Sequence, residues 1–380
     1  MTSVILRLDN EFAKDAPRLA PQPIGQAPIM RALVFRGPMD LAWEGVPAPE
    51  LVEARDALVR PLAVARCDLD PAIALGLYPM AAPFVMGHEM VGEVVAVGDA
   101  AGRWQPGDRV IVPFQLSCME CATCRRGHSN ACERVPSGTA FGLGPHGGID
   151  LGGALAELVR VPWADLMLLP LPDGIDPVIA AGVPDNVSDG YRCVAAPLAE
   201  HPGAPVLVVG GLAPSVGLYA VMAAVALGSE QVTYVDDDAS RLAMAASLGA
   251  EVVDADGRWD GLRLDRKFPI TVDANVLDAG RNLALRSVEA CGVCTSVSGG
   301  AAPTAVLPLQ HMYLKGVRYE VGRVHACSTA PLVLDLVVSG VLDPARVTPE
   351  VIPFSGAVDG MLLPSTKVVF VNDLASPTAS

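Results

Sequence analysis

The chain has 380 residues, 51% of them hydrophobic and 18% charged, enough apolar material for large buried cores in two domains. A formal net charge of −15 argues against nucleic acid and against anionic membrane surfaces as partners. The first thirty residues lack an apolar stretch ending in a small-residue cleavage site, so no export signal is expected and a cytoplasmic location is the reading.

From the N-terminus, the first chemistry-bearing stretch is RCDLD, with Cys67, followed by GHEMVGEVVAVGDAA, with His88 and Glu89. QPGDRVIVPF then leads into CMECATCRRGHSNAC, where Cys118, Cys121, Cys124 and Cys132 stand at C-x2-C-x2-C-x7-C. Nine cysteines in all, four of them packed this way, make a poor disulfide framework. Two-residue spacers let sulfurs converge about 2.3 Å from one point, and four thiolates close a tetrahedron with no open position. That is a structural zinc lobe; reduced loop thiols or an iron–sulfur cluster are the other readings of the spacing.

With the following GGALAELVRVP, the order and spacing of these segments closely resemble the zinc-dependent medium-chain dehydrogenase/reductase family, alcohol dehydrogenase type, over about residues 30–370. Residues 87–101 match the family's zinc pattern, G-H-E-x2-G-x5-[GA]-x2-[IVSAC], at every fixed position. The resemblance implies two zincs per chain and NAD, with a small-molecule alcohol or aldehyde as substrate. Its structural zinc falls on the four-cysteine lobe. Its catalytic zinc falls on Cys67, on His88, and on a third ligand in GVPDNVSDGYRCV, where alignment on Ser188, Gly190 and Tyr191 selects Asp185. A carboxylate is an acceptable ligand, so Cys/His/Asp plus water makes an open site. Glu89 is expected behind the ligands, and Asp70 orients the His88 ring. Asp189 stands where the family has a nicotinamide-facing threonine.

Further along, APVLVVGGLAPSVGLYAVMAAVALG reads as a buried strand at 206–209, a glycine turn and a helix opening near Ser215. The charge-free run 202–229 could pass for a membrane span, but its prolines and glycines break it into a soluble βα unit. The dinucleotide fingerprint is degenerate: Gly217 keeps its last glycine, whereas the earlier ones have shifted to Gly210 and Gly211. Pyrophosphate is expected on the helix N-terminus at Ser215–Gly217, with Val216 behind the nicotinamide. The strand QVTYVDDD ends at Asp236, nineteen residues after Gly217, where an acid should accept ribose hydroxyls and disfavour a 2′-phosphate. Arg241 matches a basic position that the family uses against the adenosine end. FPITVDAN and GVCTSVSG continue the alternating pattern of a parallel sheet.

The expected fold class is therefore α/β: a GroES-like, mostly-β catalytic domain (1–186 and 329–380, with the lobe at 118–132) and a doubly wound Rossmann cofactor domain (187–328). Residues 1–29 fall outside the resemblance. A homodimer or homotetramer is expected, as family members usually associate. Leu69 and Ala72 replace the hydroxyl and histidine that many of these enzymes use to relay the alcohol proton, which leaves water with Asp189 or Asp68 near the zinc as its carrier, or a substrate that needs no relay. The sequence thus reads as an NAD-dependent zinc oxidoreductase. A formaldehyde-dismutase-like enzyme with tightly held NAD, and an inactive zinc- and nucleotide-binding member of the fold, are the alternatives.

Overall fold

A computed structural model describes residues 28–297 and 304–374. The leader through residue 27 lies outside them, as do both ends of the expected catalytic domain. Strand β1 (Ile29–Gly37) folds back on β2 (Asp40–Pro47), and β3 (Ala57–Ala65) alternates buried and half-buried side chains, the period of a sheet packed mainly on one face. After the short helix Asp70–Ala74 come β4 (Phe84–Val85), β5 (Glu89–Val97), β6 (Arg109–Val112), β7 (Val159–Val161) and β8 (Leu169–Pro170).

The helix Asn186–Glu200 opens the second unit, which contributes β9 (Val206–Val209), β10 (Val232–Asp236), β11 (Glu251–Asp254), β12 (Phe268–Asp273), β13 (Val288–Ser296) and β14 (Arg318–Val321). These pair in parallel in the order β11-β10-β9-β12-β13-β14, reversing direction of travel between β9 and β12. Such a reversal opens a crevice at the carboxyl ends of the central strands. All four side chains of β9 are buried, as a central strand covered on both faces requires. Two C-terminal strands, β15 (Glu350–Pro353) and β16 (Val368–Val371), return to the first unit. Its larger sheet runs β15-β16-β3-β5-β6-β8 with β7 also on β3, while β2-β1-β4 form a smaller sheet.

The expected return to the catalytic domain at 329 falls inside the helix Ala326–Val338. Ala330, Val333, Leu334 and Val337 of that helix share a core cluster with Val208 and Ile270 of the parallel sheet, so the chain re-enters the catalytic sheet only at β15. The same cluster runs on into Val91 and Ile111, so the two units are joined by apolar packing. Among the described residues no helix is long and apolar enough to cross a membrane. Cys294 is buried in β13, whereas Cys291 of the same strand is exposed with a φ of 62°.

Candidate metal and dinucleotide site

Antiparallel pairing of β3 with β5 places Ala65 opposite Glu89, which brings Cys67, just beyond one strand, beside His88, just before the other. Gly87 turns the chain into β5 at a φ of +92° with Leu155 pressed against it, a position where a side chain would be strained and crowded. Asp185 approaches from a third direction, as the residue preceding the helix Asn186–Glu200. The donor atoms of Cys67, His88, Glu89 and Asp185 lie within 4.8 Å of one another. His88 Nε2 is 3.5 Å from Asp185 Oδ2, and both residues are buried.

Asp70 holds the start of its own helix in place by accepting from the Cys67 N–H at 2.9 Å through Oδ2. Its Oδ1 faces His88 Nδ1 at 3.7 Å, beyond hydrogen-bond length, and among the described residues both of these buried atoms lack a hydrogen-bond partner. Burial, reinforced by Asp185, Glu89 and Asp70, pushes the Cys67 thiol well up. Burial acts to lower His88, but the Asp70, Asp185 and Glu89 carboxylates outweigh it and raise the imidazole to about 9. The converging carboxylates act on both groups, raising the imidazole and adding to the burial that raises the thiol. A soft-and-hard donor set of thiolate, imidazole and carboxylate in that field suits a zinc ion.

Glu89 is also held from its other side, by Lys367. The ammonium donates to Glu89 Oε1 and Oε2, each at 2.9 Å, and to Asn186 Oδ1 at 2.6 Å, with both charged side chains fully buried. Burial lifts the Glu89 carboxyl while Lys367 opposes the lift. Lys367 was absent from the sequence reading. It lies next to β16, whose pairing of Val369 with Ala65 carries Lys367 alongside Cys67; the signal was a lone lysine abutting the apolar run VVFV. Asn186 also reaches the candidate ligands, donating to Asp185 Oδ2 at 3.2 Å and to Cys67 Sγ at 3.4 Å.

Asp189 lies one turn into the same helix, paired with Arg192, which also donates to the Gly322 carbonyl. Burial raises its carboxyl against the Arg192 charge.

In the lobe, the four sulfurs of Cys118, Cys121, Cys124 and Cys132 also lie within 4.8 Å of one another, and none is in a disulfide. Backbone amides point at them: Cys121 N to Cys118 Sγ at 3.3 Å, Cys124 N to Cys121 Sγ at 3.4 Å, Cys118 N to Cys132 Sγ at 3.4 Å. Amides of Glu133 and Cys124 lower Cys121 to about 6, whereas burial pushes Cys124 up to about 12. Amides aimed at converging sulfurs stabilise thiolates, so this donor set too fits a metal. His128 turns away from the sulfurs, its Nδ1 3.4 Å from His325 Nε2.

The glycine turn is shaped by its neighbours. A Cβ on Gly210 would lie 2.3 Å from the Tyr234 hydroxyl, and one on Gly211 would lie 2.6 Å from Asn275 Nδ2. Gly217 faces the Ala274 methyl at a Cβ distance of 3.2 Å, a close helix–sheet approach. Asp236 is fully buried, and its carboxylate accepts from Tyr234 Oη (2.6 Å), Arg241 Nε (2.9 Å) and Nη2 (2.6 Å), and the Asp237 (2.8 Å) and Asp238 (3.1 Å) amides. Five donors exceed the roughly four lone-pair sites of a carboxylate, so Asp236 and Arg241 are spent on each other and on the strand end. The half-exposed carboxylates beside them are Asp237 and Asp238. The amides of Ser215 and Val216 are likewise engaged, by Asp68.

Residues 53–173 match the alcohol dehydrogenase GroES-like domain. The sequence is 32% identical to zinc-type alcohol dehydrogenase B of Aspergillus flavus over 346 residues, 87% of this chain and 78% of the relative. It is 32% identical to formaldehyde dismutase of Pseudomonas putida over 237 residues, 59% of this chain and 58% of the relative. Among solved structures, alcohol dehydrogenase TADH from Thermus sp. ATN1 aligns with a TM-score of 0.80 at 34% identity, covering 90% of this chain and 100% of the other.

Proposed function

The chain belongs to the zinc-dependent medium-chain dehydrogenase/reductase family of alcohol dehydrogenase type, and from that premise we propose that it moves hydride between NAD and a small alcohol or aldehyde. The observation that carries this reading is the convergence of Cys67, His88 and Asp185 while Lys367 holds Glu89 aside. Three protein ligands leave a position for substrate, the mark of a catalytic rather than a structural site. Zinc, when bound there, supplies Lewis acidity toward the substrate oxygen, and the nicotinamide carries the hydride.

The chain's own residues orient and insulate. Asp70 fixes the Cys67 backbone, Lys367 neutralises the acid nearest the ligands, and the Phe114 ring stands 5.6 Å from that of His88, closing an apolar wall. With Leu69 and Ala72 in the relay positions, Asp68 and Asp189 were the remaining acids for proton traffic. Asp189 is already committed to Arg192, so we assign the proton to water in the cleft, with Asp68, next to Cys67 in the chain, as the acid beside it. Preference for NAD over NADP rests on Asp237 and Asp238, half-exposed at the end of β10. A second zinc in the lobe completes two per chain. A homo-oligomer joined along the open edge strand β14 is part of the same reading, since Tyr313 and Leu314 beside it are exposed.

The test is zinc per chain by elemental analysis, on the wild type and on Asp185→Ala, with NADH consumption measured across an aldehyde series. The expected result is two zincs falling to one, with turnover lost in the variant. One zinc in both proteins would overturn the assignment of the Cys67 cluster.

A further inference from the structure

We infer that the Asp68 carboxylate is an internal stand-in for the dinucleotide's pyrophosphate, and that it must leave the cofactor helix before a dinucleotide can bind. The inference rests on the dinucleotide reading above and adds a residue that sets the affinity of that site.

The first turn of the helix Pro214–Ala226 can be accounted for donor by donor. Pro214 has no N–H. Gly217 N already donates to Ala213 O at 3.0 Å within the helix. Ser215 and Val216 are therefore the amides left for an anion, and Asp68 Oδ2 takes both, at 2.9 and 3.1 Å. The Ser215 hydroxyl lies 2.8 Å from Asp68 Oδ1 and 3.0 Å from Asn186 Oδ1, with a single proton for the two. An amide pair at a helix N-terminus is where a phosphate would dock, and here it is filled from within the chain. Asp68 comes from the other unit, 147 residues away, so the contact also ties the two units together across the crevice.

A carboxylate and a pyrophosphate cannot share these two amides; their like charges at contact distance repel. Dinucleotide binding is thus an exchange of one anion for another. Its apparent affinity is reduced by the fraction of molecules in which Asp68 has let go. The engagement of Asp236 at the ribose end is of the same kind: its carboxylate is held by Tyr234 and Arg241 from within the chain. Asp68 directly follows Cys67, and Asn186 directly follows Asp185, so release of Ser215 from both reaches the backbone beside two of the three metal ligands.

The experiment titrates NADH and ADP, the latter carrying a diphosphate without the nicotinamide, by calorimetry against the wild type, Asp68→Asn and Asp68→Ala. Asp68→Asn is nearly isosteric and keeps an acceptor for the amides, so it guards against loss of the fold in the alanine variant. Binding of both ligands should tighten about tenfold or more in each folded variant. Adenosine, which has no phosphate, should bind equally to all three proteins. If the wild type binds NADH and the variants bind it no better or worse, the inference fails and the dinucleotide reading stands. If none of the three binds NADH or ADP at millimolar concentration, both fail together.

Discussion

Replacing Lys367 with Met tests whether the centre of the molecule is organised by charge. The ammonium has three protons and three acceptors, Glu89 Oε1 and Oε2 and Asn186 Oδ1, all without solvent contact at Lys367 or Glu89. Methionine fills a similar volume but leaves a buried carboxylate with no cation and Asn186 without its closest donor. Breaking a buried pair from one side costs about 3–5 kcal/mol, and the lost Asn186 bond adds about 1 kcal/mol. Proton uptake by Glu89 caps the loss, so the expected value is about 3 kcal/mol, a change on the order of a hundredfold in the folded-to-unfolded ratio. Urea denaturation followed by the fluorescence of Trp104, buried in the catalytic core, reads that difference. The double variant Glu89→Gln/Lys367→Met removes both charges and should recover at least half of the loss, because no uncompensated ion remains. A loss under about 1 kcal/mol for the single variant would refute the reasoning, as would simple additivity in the double.

Cys124→Ser should remove the lobe's zinc alone, leaving one metal per chain and a lower melting temperature, whereas a lobe that never held metal would show no change in zinc content. Asp237→Ser combined with Asp238→Ser should raise the ratio of NADPH to NADH affinity, by about 1 kcal/mol for each charge removed at this half-exposed strand end, as read by competitive titration. An unchanged ratio would remove these two acids from cofactor selection. His325 is lowered by burial and then by His128 and Arg192, so the folded chain binds fewer protons there than the unfolded one. Its contribution to stability is present above the ordinary histidine value of about 6.5 and is lost as pH falls through the folded value. His325→Gln should therefore flatten the acid side of the stability profile, measured by melting temperature between about pH 5 and 7.

The parts of the site that could be read from sequence are those whose neighbours in the chain are also neighbours in space. Cys118, Cys121, Cys124 and Cys132 lie within one lobe, and the GHE triplet is contiguous at the entry to β5, so spacing alone reports their convergence. The β9 run VLVV and the helix after it were visible for the same reason, their apolar content being local. Lys367 escaped because its partner Glu89 is 278 residues away, and only the β16–β3 register brings them together. The expected boundary near 329 falls inside the Ala326–Val338 helix, whose composition says nothing of which sheet it packs on.

Asp68 and Asp236 carry the sharper lesson, since both were seen in the sequence and given roles by position alone. At Asp236 an acid ends β10 where a ribose acceptor is expected, yet Tyr234 two residues earlier and Arg241 five residues later consume its oxygens. A motif position names a residue type; whether its lone pairs are available depends on every donor that the fold brings within 3 Å. At Asp68 the mismatch is one of sign. A negative side chain beside the expected pyrophosphate site reads in sequence as a group near the metal, and only the geometry makes it an occupant of the amides themselves. The same sequence therefore carries its candidate metal ligands largely in local motifs and the Asp68 contact on the proposed cofactor helix across 147 residues. That contact begins one residue from the proposed ligand Cys67, so the inferred exchange at Asp68 would couple the free energy of dinucleotide entry to the site where the chemistry is proposed to occur.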